Sequence, residues 1–232
     1  MTSIFRNFLE AILPAWLTNT TSLSHPPNTD DNNDTNMYHP SSAREVYHVA
    51  FLLRQILVAD LIPIILDFAE YWPRTTYSCQ ESKTYVQHTA GRPYLSAVLS
   101  NAVCGPRMIR KIEIHVTSHD QGWSSFPQDH GTYNGSWTWF EAEVRSAGSV
   151  GEDEDEHCVK KELCRNVHAD ATDKTHTTTW RYDAEDDGER DLVRSLGPGS
   201  SISVVPWARF PGWQNYVTCA SVDVYAVAVR KL

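Results

Sequence analysis

At 232 residues with 41% hydrophobic side chains, the chain can bury one substantial core and fits a single domain with appendages. A net charge of -9, from 29 acidic against 20 basic residues, excludes the clustered Lys and Arg that phosphate contacts need, so nucleic acid is not an expected partner. Much of the acid lies in two short spans, Gly151 to Glu156 and Asp183 to Asp191, which read as solvated loops, and no apolar run is long enough to span a bilayer.

In residues 1–17, MTSIFRNFLEAILPAWL, the side chains of Phe5, Phe8, Leu9, Ile12 and Trp16 recur at helical spacing and predict an amphipathic helix. Glu10 and Pro14 interrupt the apolar run and no small-residue cleavage pattern follows, so a cytoplasmic chain is expected rather than a secreted one. Arg6 alone is basic there, which favours docking on protein over docking on lipid. Residues 18–42 are rich in Asn, Asp, Thr, Ser and Pro and have little to bury, which predicts a disordered linker.

Residues 43–74 turn helical. Val46, Val49, Ala50, Leu53, Ile56 and Leu57 keep a 3.6-residue period between Glu45 and Val58, and Asp60 is placed to cap a second helix from Leu61 to about Trp72. Its apolar stripe is Ile62, Ile65, Phe68, Ala69 and Trp72, with Pro63 tolerated in the first turn and Pro73 as the stop.

After Thr75 the pattern alternates between Gly and Pro punctuation, which is how an antiparallel β-sandwich reads. The clearest strand, Arg110 to Thr117, turns Ile112, Ile114 and Val116 inward and Lys111, Glu113, His115 and Thr117 outward. The next, Ser136 to Val144, sets Phe140, Ala142 and Val144 against Trp137, Trp139, Glu141 and Glu143 on the other face. Later strands are expected over Leu163 to His168, Thr175 to Tyr182, Ser201 to Trp207 and Val217 to Arg230, with a helix from Gly188 to Leu196. The fold class is therefore mainly β, an antiparallel sandwich over 75–232 of jelly-roll or galactose-binding-like type, preceded by the two short helices and the linker.

Three of the eight tryptophans fall in the turn-rich segment SHDQGWSSFPQDHGTYNGSWTWF, and a second aromatic turn, RFPGWQNY, answers it. Turns lie at the surface and large amphipathic rings bind at low entropic cost, so these two segments point to a ligand-facing rim. The candidate binding residues are Asp120, Trp123, Trp137, Trp139, Arg209, Trp213 and Asn215, with Arg209 and Asn215 supplying polar contacts. Trp is highly buried on average, so the competing reading is that these rings fill a core, as Trp180 and Trp207 are expected to do.

No catalytic residue, cofactor or metal site is expected. Ser118, His119 and Asp120 spell a catalytic triad, yet neighbours on extended chain point to opposite faces, and Asp120 is better placed to bond backbone N–H groups of the turn at Gly122. His115 and His119 have a zinc-chelating spacing for a helix, but along a strand they lie ~13 Å apart at about 3.3 Å per residue. Glu152 to Glu156 lacks the Gly-punctuated order of a calcium loop. The five cysteines form no C-x-x-C pair and read as free thiols of a reducing compartment, against which three sequons at Asn19, Asn33 and Asn134 carry little weight. Cys158 and Cys164 have basic neighbours, the condition for an activated thiol, although such neighbours are common on surface strands.

Residues 107–229 resemble a domain of many uncharacterised fungal proteins through SHDQGW, GTYNGSWTWFE, RNVHAD, a W-R strand, LVRSLGPGSSI, ARFPGWQNYV and SVDVYAV in that order. The resemblance implies no function. The upstream FLLRQILVADLIPIILDFAEYWP resembles the helical segment of those proteins and, more distantly, an F-box, although strands begin sooner here than an F-box allows. By architectural analogy with proteins that pair an F-box with a galactose-binding-like sandwich, it implies glycan or glycoprotein binding. The expected function is a non-enzymatic module binding a glycan or peptide at the aromatic rim. Two alternatives stand beside it: an adaptor holding a protein partner through residues 45–72, and a hydrolase if His119, Asp120 or Cys164 meets a base in a cleft.

Overall fold

A computed structural model describes residues 38–101, 108–147 and 158–228. The expected N-terminal helix, most of the expected linker, Cys104 and the acidic run Gly151 to Glu156 lie outside the described residues. Contacts divide the chain into two units: Pro73–Ala228 carries every described strand, and two helices belong to the other.

Helix α1 (Ala43–Leu53) buries Val46, Val49, Ala50 and Leu53, the stripe its 3.6-residue period marks out, and ends before Ile56, which is exposed. The last residues of the expected linker are tied to it, since Tyr38 donates its hydroxyl to Glu45 Oε2 at 2.6 Å and Ser41 bonds the same carboxylate. Helix α2 (Leu61–Phe68) departs from expectation in three ways. Asp60 makes no side-chain cap bond because its own backbone is already helical. The helix ends at Phe68, with Glu70 at a φ of 51°, so the stop precedes Pro73. Ile62 and Leu66 are the buried residues of α2, whereas Phe68 is exposed.

The strands are β1 (Arg74–Cys79), β2 (Lys83–Tyr85), β3 (Leu95–Val98), β4 (Ile109–His119), β5 (Thr138–Arg145), β6 (Cys158–Arg165), β7 (Lys174–Arg181), β8 (Ser201–Ala208) and β9 (Asn215–Ala226), with α3 (Asp187–Ser195) before β8. One sheet runs β1-β9-β4-β7 with β2 also on β9, and the other runs β3-β8-β5-β6, all pairs antiparallel. The pairs β1 with β9, β3 with β8, β4 with β7 and β5 with β6 are those of one long hairpin rolled onto itself, the winding of a jelly roll. The fold is thus an antiparallel β-sandwich, as the alternating pattern predicts.

Ile112, Ile114 and Val116 of β4 and Val222 and Val224 of β9 share a core with Phe140, Ala142 and Val144 of β5 and Ile202 and Val204 of β8. Each of these Ile, Val and Phe side chains contributes about 1.5–3 kcal/mol on burial. Trp180 is core, as its strand position suggests. The outward face of β4 is polar but only half wet, because β4 is flanked by β9 and β7, and Lys111 is buried there. Helix α3 starts where Asp186 accepts the Glu189 N–H at 2.7 Å, with acids in its first turn and Arg194 in its last, matching the helix dipole. Strand β6 ends at Arg165 rather than His168, since Asn166, Val167 and His168 leave the ladder and are buried. No described helix is long and apolar enough to cross a membrane.

Candidate functional site

Alternation on β5 and β8 decides which side chains leave the core. With Phe140 and Ala142 inward, Trp139 and Glu141 face out, and with Ile202 and Val204 inward, Ser203 and Trp207 face out. Trp139 and Trp207 are register partners, so their rings meet on the outer face of the four-stranded sheet, centroids 5.7 Å apart and planes 9° from parallel. This offset stacking is a favoured aromatic geometry. Arg165 of β6 extends the row: it is the other register partner of Trp139, holds its guanidinium 5.5 Å from the ring centre, and bonds Glu162 in bidentate fashion at 2.8 and 2.7 Å.

Beside the stacked indoles lies a depression of about 300 Å³ lined by Gln87, Ala90, Trp139, Glu141, Trp207, Ala208 and Arg209. Trp139 Nε1 donates to Glu141 Oε1 at 3.0 Å, which fixes ring and carboxylate together. Gly91 closes on the far end of the Trp207 ring: a Cβ there would stand 3.0 Å from the ring carbon Cη2, and its φ of +78° suits glycine alone. Arg209 is exposed at the margin, 5.6 Å from the centre of Trp137 and 5.7 Å from that of Phe210, and those two rings meet edge to face at 4.8 Å. The result is an apolar floor with a carboxylate, a guanidinium and an amide at its edge, the composition of a small-ligand site.

Of the seven expected binding residues, Trp139 and Arg209 line this depression and Trp137 adjoins it through Arg209. Trp123 is 63% exposed on its loop and is not among the lining residues. Trp213 is half-buried and packs edge-on against the buried His168 ring at 5.1 Å. None of the four rings is sealed inside, but they do not form one rim. Asp120 and Asn215, expected to offer polar contacts to a ligand, are instead fully buried. Asp120 accepts the Gly122 N–H at 2.7 Å and the Ala169 N–H at 2.8 Å, the turn bond its sequence position suggests. Burial pushes its carboxyl above the usual range, against the two N–H bonds.

Asn215 reaches from β9 into the sandwich, and its Nδ2 lies 3.2 Å from the main-chain oxygens of both Trp139 and Trp207. It therefore holds the backbone beneath the indole pair. Its Oδ1 accepts from Asn166 at 3.0 Å, and Asn166 in turn bonds Thr138 Oγ1 and Ser118 Oγ, which satisfies a buried polar cluster.

Trp207 was expected in the core and is a half-buried wall of the depression. Extending the alternation from Ile202 and Val204 would have put it with Ser203 on the outer face. Gln87, on the β2–β3 connection, carries no sequence signal at all. His119 stacks on Tyr216 at 4.7 Å and bonds the Asp120 carbonyl, and Cys164 packs against the core with its thiol pushed up to about 12 by burial and by Glu162. Cys79, Cys158, Cys164 and Cys219 are free among the described residues. On the opposite sheet, Glu113, His115 and Asp223 bring three potential metal-ligand atoms within 4.8 Å of one another, a grouping that chain order conceals because Asp223 comes from a distant strand.

No family model matches the chain and no curated protein matches it. Among solved structures, that of infectious bursal disease virus, Gx strain, aligns with a TM-score of 0.38 at 11% identity over 66% of this chain and 32% of the other. A Clostridium thermocellum endo-1,4-beta-D-xylanase 10B with CBM22-1 and GH10 modules, complexed with xylohexaose, aligns with a TM-score of 0.29 at 8% identity over 68% and 27%. The present chain spans about a third of the length of these proteins or less. Likeness at this level carries nothing about fold, ligand or activity.

Proposed function

We propose that the chain is a non-enzymatic binding module that takes a glycan in the depression beside Trp139 and Trp207. The observation that carries this reading is the stacked indole pair meeting Glu141, Gln87 and Arg209 around about 300 Å³, room for one or two sugar rings. Sugars present apolar C–H faces and closely spaced hydroxyls, which suit ring surface flanked by a carboxylate, an amide and a guanidinium. A cytoplasmic setting is part of the proposal, supported by the free thiols. Membership of the fungal family is likewise proposed on the ordered motifs from SHDQGW to SVDVYAV.

Titrating the full chain with a panel of soluble oligosaccharides, read by tryptophan fluorescence, tests the glycan reading. A saturable change that disappears in both Trp207→Ala and Arg209→Ala, with circular dichroism intact, is the expected result. Quenching by peptides alone would transfer the site to a peptide ligand, and binding that survives both substitutions would remove it from this face.

A second reading, an adaptor working through residues 45–72, is favoured by one observation: Phe51, Ile56, Val58, Leu61, Ile64 and Phe68 are all exposed on α1, α2 and their connection. It expects Phe51→Asp with Ile64→Asp to abolish a specific partner's binding while leaving the glycan titration unchanged. A partner retained by the double variant would refute it.

A further inference from the structure

The outer face of the five-stranded sheet carries Glu113 and His115 on β4 and Asp223 on β9, with Glu113 and Asp223 directly paired across the ladder. Two residues apart on one strand, Glu113 and His115 share a face, and the register of β9 delivers the Asp223 carboxylate between them. We propose that these three side chains form a site for a divalent transition ion of the zinc type.

Three features support it. The ligand set is one imidazole and two carboxylates, and their atoms lie within 4.8 Å of one another, so side-chain adjustments of at most about 1.4 Å bring them to the spacing of about 3.4 Å that metal bonds of about 2.1 Å impose on a tetrahedron. His115 Nε2 and Asp223 Oδ2 are 3.6 Å apart, wider than a hydrogen bond and suited to an ion between them. Each ligand is also braced from behind by a separate hydroxyl: Thr177 of β7 on His115 Nδ1 at 2.9 Å, Thr76 of β1 on Asp223 Oδ1, and Tyr225 of β9 on Glu113 Oε2 at 2.6 Å. Outer partners of this kind orient metal ligands, and with Nδ1 engaged by Thr177 the Nε2 lone pair can face the ion.

Lys111 competes for the same charge. Its Nζ lies 3.1 Å from Glu113 Oε1 and 4.1 Å from the centre of the Tyr225 ring, and Arg74 adds positive charge nearby. A carboxylate has about four lone-pair positions, so Glu113 keeps room for an ion beside Lys111 and Tyr225. Side-chain exposures of 33% for His115 and 22% for Glu113 leave an entry path from solvent. The site would hold three protein ligands and an open position.

The test is equilibrium dialysis of the full chain against zinc chloride, paired with nitrogen NMR of its histidines. The expected result is one zinc per chain, a zinc-induced shift of His115 Nε2, and affinity at least tenfold weaker in both His115→Gln and Asp223→Asn. No saturable binding, binding unchanged in either variant, or shifts confined to other histidines would overturn the site. The wild-type NMR arm decides the matter even where a variant fails to fold.

Discussion

Asn166 donates Nδ2 to Oδ1 of Asn215 at 3.0 Å inside the sandwich, and this one bond sets which end of the Asn215 amide faces the four-stranded sheet. With Oδ1 taken, Nδ2 is left pointing at the carbonyls of Trp139 and Trp207. A residue of one sheet thereby fixes the paired backbone positions that carry the indoles on the far side of the other.

Replacing Asn215 by Leu preserves volume but removes three buried hydrogen bonds at once, those to the Trp139 and Trp207 carbonyls and the one from Asn166. A buried hydrogen bond contributes about 0.5–1.5 kcal/mol, so losing three together predicts a loss of about 3 kcal/mol. Urea unfolding should show a lower midpoint with an unchanged slope. A loss under 1 kcal/mol would mean that the clamp is dispensable.

The tryptophans separate by position. Trp180 is 1% exposed within the core, so Trp180→Ala should cost about 3–5 kcal/mol. Trp123 is 63% exposed, so Trp123→Ala should stay within about 0.5 kcal/mol. Thermal melts of the two variants check the contrast, and equal losses would contradict the assignment of Trp123 to the surface.

How far the sequence carries depends on which residues settle each question. Period-two alternation placed Ile112, Ile114, Val116, Phe140, Ala142 and Val144 in the core, because a half-buried strand repeats its environment every second residue. Strands β1, β2 and β3 were not delimited, since RTTYSC and KTY are short and mostly polar and LSAV is only four residues long. The site was half legible. Trp139 and Arg209 could be picked out by type and turn context, but their convergence with Gln87 and Trp207 depends on β5 pairing with β8 across more than sixty residues. Asp120 and Asn215 misled for a related reason: a polar residue beside an aromatic turn looks like a ligand contact until the fold turns it inward.

The Cys164 thiol, pushed up to about 12, should be nearly inert at neutral pH despite the neighbouring Arg165. At pH 8 its thiolate fraction falls roughly a thousandfold below that of an unperturbed cysteine of pKa about 8.5. Alkylation with iodoacetamide followed by peptide mass spectrometry should find Cys164 unlabelled while Cys158 is modified. Labelling of Cys164 at the Cys158 rate would show that its thiol is not held above the ordinary range.

Asp120 gives a pH dependence of unusual sign. Burial holds its folded-state pKa above the ordinary 3.8, so between those values the folded chain keeps a proton that the unfolded chain releases. The stability this group contributes is fully present below pH 3.8 and is lost as pH rises through the folded value. Asp120→Asn cannot titrate, and it retains one side-chain oxygen for the Gly122 N–H, whose residue must stay glycine because a Cβ would stand 2.7 Å from that of Ala171. The stability of wild type relative to Asp120→Asn should therefore fall as pH rises from 3.8 toward neutrality, as measured by urea unfolding. A relative stability that rises over that interval would mean that the bonds from Gly122 and Ala169 outweigh burial and that the carboxyl is held below its ordinary value.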